Sequence, residues 1–99
     1  MKKEKLKTTK WDAVDYLKTD EDMADYLEAA MEDGEPAVIA TAIGNIARAK
    51  GMTQVARKAG IGRVSLYKAL SPGGNPEFAT VMKVVRALGL KLRAEPEHL

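Results

Sequence analysis

The chain has 99 residues, 45% of them hydrophobic and 30% charged, the make-up of one soluble globular domain with a modest core. It has no cysteine, which excludes a disulfide framework and a thiolate metal site, and no apolar run approaches the roughly 20 residues that span a bilayer. The net charge of +2 conceals a strong segregation: residues 1–10 carry five lysines and one acid, 11–36 ten acids and one lysine, and 37–76 six bases and no acid. An acid-free stretch of that length predicts a surface for a polyanion, and the acidic block predicts a different role.

The opening MKKEKLKTTK is basic but leads into no hydrophobic stretch. Residues 1–10 therefore read as a flexible tail rather than a secretory signal, and a cytoplasmic location is the expectation. The acidic region, 11–35, begins with a short helical turn over Trp11–Leu17. Thr19 is placed to N-cap the next helix, with Asp22 three residues on as the acidic half of a capping box. Met23, Tyr26, Leu27, Ala30 and Met31 then recur at helical spacing up to Gly34. On the other side run Glu21, Asp25, Glu28 and Glu32, a one-signed face and the candidate surface for a protein partner.

Residues 36–90 carry the remaining helices. Pro36 opens one whose buried stripe is Ile39, Ala42, Ile43, Ile46 and Ala47, with Gly51 as its stop. Thr53 is the expected N-cap of a short helix from Gln54 to Ala59, ended by Gly60, and a further short helix covers Arg63–Leu70. The loop SPGGNP (71–76) follows. Asn75 is expected to cap a last helix with Pro76 at its first position, burying Phe78, Val81, Met82, Val85 and Leu88. Finally, LKLRAE (90–95) alternates apolar and charged residues, the period of a strand. The expected C-terminal region, 91–99, is this short β-strand and a tail, the strand either pairing with its counterpart in a second chain or lying as a simple extension packed on its own domain.

Two short helices joined by a glycine turn inside an acid-free segment form a candidate helix-turn-helix. Ala56 is small where the second helix crosses, Gly60 takes the turn, and Ile61 and Leu66 fill the angle between the helices, with Val55 and Leu70 widening that core. On the second helix Leu66, Ala69 and Leu70 fall on one side, leaving Arg63, Val64, Ser65, Tyr67 and Lys68 to face outward. The first residues of such a helix reach base edges in the major groove. Arg63 suits bidentate contact with guanine, Lys68 guanine or phosphate, and Val64 a thymine methyl. Thr53, Gln54 and Arg57 suit phosphate contacts.

Enzyme chemistry fares poorly on the same sequence. His98 is the sole histidine and sits one residue from the end, and Ser65 has no nearby base to activate it. The run DEDMAD (20–25) superficially suggests a calcium loop, but the glycine required at its sixth position is Asp25. The expectation is a binding protein with no catalytic residue, no metal site and no cofactor.

The stretches IARAKGM (46–52), SLYKALS (65–71) and GNPEF (74–78) resemble the addiction-module antidote proteins, a HigA-like group of helix-turn-helix antitoxins, over roughly residues 11–94. The resemblance implies an all-α, lambda-repressor-like domain of about five helices. It also implies a type II antitoxin that neutralises a small basic toxin of the RelE/ParE type and represses its own operon. A homodimer on an inverted-repeat operator is the implied assembly. The alternatives are a stand-alone regulator, or an interaction module whose helix-turn-helix no longer reads DNA. Two positions depart from the group: Gly62 stands where a serine cap is usual, and Val64 where an acid is common.

Overall fold

The computed structural model describes residues 12–97. The basic tail, Trp11 and His98 therefore lie outside the described residues. A 3₁₀ turn, Ala13–Tyr16, leads into five α-helices: α1 (Asp20–Asp33), α2 (Pro36–Lys50), α3 (Met52–Ala59), α4 (Arg63–Leu70) and α5 (Phe78–Ala87). The fold is all-α, as the helical periodicity predicts. Among the described residues no helix is long and apolar enough to cross a membrane, and no three potential metal ligands cluster.

The start of α1 is built by the expected capping box. The Asp22 N–H donates to Thr19 Oγ1 (3.0 Å), and the Thr19 N–H returns to Asp22 Oδ2 (3.0 Å). The Lys18 N–H donates to the same carboxylate oxygen at 3.1 Å. These backbone donors, Thr19 first and then Lys18, hold the Asp22 carboxyl below the ordinary value of 3.8. Three acids in the first turn also suit the positive end of the helix dipole. Gly34 ends α1 in the left-handed region at φ 82°, so the chain reverses and α2 packs back along α1.

One apolar core joins all the elements, from Leu17 before α1 to Leu88 after α5. Ala42, Ile43, Ile46 and Ala47 of α2 are buried as their stripe predicts, and Ile43, Ile46, Leu66 and Leu88 are the largest side chains sealed from water. The N-terminal segment is clamped from outside as well. Arg48 reaches Asp12 (3.2 Å) and Asn45 Oδ1 (2.9 Å), Asn45 donates to the Tyr26 hydroxyl (2.9 Å), and Lys50 pairs with Asp20 (3.1 Å). The Asp12 carboxyl is held low chiefly by the Val14 N–H and then by Arg48.

Several details differ from the sequence expectation. The helix α3 begins at Met52 with Gly51 as its N-cap, because the Gly51 carbonyl already accepts the Val55 N–H at 3.0 Å; Thr53 lies inside the first turn. The helix α5 begins at Phe78 with Glu77 as N-cap, not at Pro76, because Glu77 supplies the carbonyl that accepts the Val81 N–H. Phe78 is consequently in the first turn and 74% exposed rather than buried, Met31 is exposed too, and Val84 is a core residue the pattern missed. Most importantly, the expected C-terminal β-strand is absent among the described residues: 90–97 form neither strand nor helix. A strand needs a neighbour to accept its backbone hydrogen bonds, and the other elements described here are helices.

Candidate nucleic-acid interface

The helices α3 and α4 pack against each other, and the turn between them is set by backbone chemistry. Gly60 adopts φ 72°, a left-handed conformation that costs a side-chain-bearing residue more than glycine. Its N–H bonds back to Arg57, and the Ile61 N–H reaches the Ala56 carbonyl at 3.0 Å, closing the end of α3. Gly62 is extended (φ −61°, ψ 142°), and its carbonyl accepts the Leu66 N–H at 2.9 Å to start α4. Val55, Ala56, Leu66 and Leu70 are buried between the helices and α2.

That inward packing fixes what faces outward. Leu66 and Leu70, one turn apart, point into the core, so Val64, Tyr67 and Lys68, at the complementary spacing, point away from it. Arg63, Val64, Ser65, Tyr67 and Lys68 on α4 and Thr53, Gln54 and Arg57 on α3 are all exposed. Val64 is 70% exposed and Tyr67 61%, so neither helps hold the fold together. No side chain caps the first turn of α4, whose N-cap is Gly62, and its leading amides therefore have no side-chain acceptor.

The electrostatics narrow the basic surface. Of the six bases in the acid-free stretch, Arg48 and Lys50 are engaged with Asp12 and Asp20. Arg57, Lys58, Arg63 and Lys68 make no ion pair among the described residues. The cations left free are therefore those on the two helices of the candidate interface.

Two glycines that sequence reasoning passed over hold α4 in position. A Cβ on Gly44 of α2 would lie 3.1 Å from the Leu70 carbonyl oxygen and 3.4 Å from its Cβ, so glycine lets α2 and the end of α4 approach closely. A Cβ on Gly74 would meet the Lys68 carbonyl oxygen at 2.7 Å and the Ala69 carbonyl closer still. The 71–76 loop is thus folded down over the last turn of α4, secured by Ser71 Oγ on the Lys68 carbonyl (2.9 Å) and Gly74 N–H on the Ser71 carbonyl (2.8 Å). A glycine inside a helical pattern, as at 44, is a sequence signal for such an approach. For Gly74 the turn-rich loop masks it.

The acidic candidates stand elsewhere. Glu21, Asp25, Glu28 and Glu32 are all exposed along α1, but only Glu28 and Glu32 line the cleft between α1 and the chain beyond α5.

Residues 7–96 match the family model described as "Probable addiction module antidote protein". The chain belongs to the addiction-module antidote family. A relative from Haemophilus influenzae (strain ATCC 51907 / DSM 11121 / KW20 / Rd), described as an uncharacterized protein, is 46% identical over 85 residues, covering 86% of this chain and 88% of its own length. No solved structure matches the chain significantly. Membership assigns this antidote-family chain to an addiction module, and the counterpart of an antidote is a toxin. The helix-turn-helix geometry and the acidic helix thus sit within a family whose members act by countering a partner.

Proposed function

We propose that the protein is the antitoxin of a type II toxin–antitoxin module. It binds a small basic toxin of the RelE/ParE type through the acidic side of α1, and as a homodimer represses its own operon. The observation that carries the DNA half is the exposed, carboxylate-free surface of α3 and α4, the two helices that carry every base of residues 37–76 not in an ion pair among the described residues. In this reading α4 enters the major groove. Arg63 bonds guanine, Lys68 guanine or phosphate, Val64 packs on a thymine methyl, and Ser65 and Tyr67 take flanking backbone. Thr53, Gln54 and Arg57 hold phosphates and set the register. Two-fold symmetry places the recognition helices about 34 Å apart on an inverted repeat.

The exposure of Val64 and Tyr67 also favours a second reading, in which this face meets a protein and no longer reads DNA. Gel-shift titration on the chain's own upstream region separates the two. Arg63→Ala is expected to cost about 1–3 kcal/mol and to relax preference at one base pair per half-site, whereas Arg57→Ala weakens all sequences alike. If Arg63→Ala binds as wild type does, α4 is not the base reader.

A further inference from the structure

A cleft of about 470 Å³ opens between α1 and the chain that follows α5, a size suited to holding several side chains. One wall is a stripe of α1 that carries Leu27, Glu28, Met31 and Glu32; the other is the segment Gly89–Glu95, including Leu90 and Leu92. Leu27 is buried, the two C-terminal leucines are half-buried against the core, and Met31 is 40% exposed. The floor is therefore apolar and partly open to water. Glu28 and Glu32, one helical turn apart on the same wall, have neither an ion pair nor a hydrogen bond among the described residues. Lys91 and Arg93 on the opposite wall are likewise unpaired, so the two walls do not neutralise each other.

The far wall has a second property. Along residues 90–93 half-buried leucines alternate with exposed basic residues, the pattern of a strand, yet no strand forms there. The backbone beyond Leu90 takes part in no backbone–backbone hydrogen bond among the described residues. Backbone N–H and C=O groups left unpaired in this way offer an edge to a guest strand.

We propose that this cleft is the seat of the toxin, and that its occupant is an extended toxin segment with alternating apolar and basic side chains. The guest backbone pairs with residues 90–95, its apolar side chains lie on Leu27, Met31, Leu90 and Leu92, and its basic side chains reach Glu28 and Glu32. Pairing supplies affinity, while the alternation of pocket and charge supplies specificity. The strand that the sequence predicts is then completed by the partner. This inference rests on the toxin reading above and narrows it from the whole acidic face of α1 to its C-terminal half.

The test is calorimetric titration of the full chain with the protein encoded by the neighbouring short reading frame, together with amide exchange. Glu28→Lys with Glu32→Lys is expected to weaken the complex about tenfold or more, and Met31→Lys to weaken it as well. Reversal of Glu21 and Asp25 should cost clearly less, and the charge-matched control Asp15→Lys with Glu35→Lys should stay within about twofold, the scale of a peripheral charge. Amides of Lys91–Arg93 should exchange more slowly in the complex. Unchanged helicity and operator binding certify that the variants fold.

Equal losses from the two α1 pairs would overturn the cleft in favour of the whole acidic face. A complex insensitive to both pairs, or with no protection at 91–93, would place the toxin elsewhere. If Glu28→Lys with Glu32→Lys instead disperses a self-associated wild type while toxin binding persists, the cleft belongs to a second copy. Absence of any complex with wild type would remove the toxin reading itself, and the cleft with it.

Discussion

Gly60 and Gly74 flank α4 for opposite physical reasons, and substitution tells them apart. At Gly60 the space beyond a Cβ is empty, but φ is +72°. Alanine there meets conformational strain alone and is expected to lose about 1 kcal/mol, part of the left-handed penalty being offset by a less flexible unfolded chain. At Gly74 φ is not positive, but a Cβ would collide with carbonyl oxygens of α4. Backbone atoms cannot swing aside as a flexible side chain can, so Gly74→Ala is expected to cost about 1–3 kcal/mol, the range for overpacking. Urea unfolding of both variants measures the difference. A Gly74→Ala protein as stable as wild type would mean that the 71–76 loop does not need its close seat on α4.

Among the elements, α1 has a start that titrates. Thr19→Ala removes the acceptor for the Asp22 N–H and is expected to lower stability by about 1 kcal/mol at neutral pH. The other half of the box depends on charge. Backbone N–H groups hold the native Asp22 carboxyl below its ordinary value, so the folded state favours the ionised form. Its contribution is full above the unfolded pKa of about 3.9 and is lost as pH falls through the lower native value. Asp12 follows the same sign for the same reason. Asp22→Asn should therefore trail wild type at neutral pH, with the gap in urea midpoint closing below about pH 4; a gap constant down to pH 2.5 would contradict this origin. The capping box was legible in the sequence because it is local, contained in residues 18–22. The turn of the helix-turn-helix was legible because Ala56, Gly60 and Leu66 each answer a packing demand visible in residue size. The start of α5 was not: Pro76 fits an extended chain as well as a first helical turn, and the helix begins only where the Glu77 carbonyl accepts the Val81 N–H. The segment 90–95 was legible in its alternation but not in its state, since period-two patterning says which side is apolar and not whether a pairing edge exists.

Across the whole molecule, folding redistributes the charge that the sequence only counts. Arg48 and Lys50 lie in the acid-free stretch, yet they turn to the N-terminal acids Asp12 and Asp20 and help clamp that segment to α2. The candidate surface for polyanions is thereby reduced, within residues 37–76, to Arg57, Lys58, Arg63 and Lys68. If Arg63 reads a base and the other three meet phosphates in each half of a dimer, about six counterions leave on binding, and log Kobs against log salt should fall with a slope of about −5. Arg57→Ala should make that slope shallower by about two per dimer, since one phosphate contact is lost from each subunit. Arg48→Ala is the discriminating variant. It removes the same formal charge from the same stretch, but its guanidinium is held by Asp12 and Asn45. It should therefore lower the thermal midpoint while leaving the salt slope as in wild type. Fluorescence anisotropy on the operator between 50 and 200 mM salt, a span of about three to five decades in affinity for such an interface, resolves slopes of this size. A slope flattened by Arg48→Ala as much as by Arg57→Ala would return Arg48 to the nucleic-acid surface and show that its pairing with Asp12 yields to DNA.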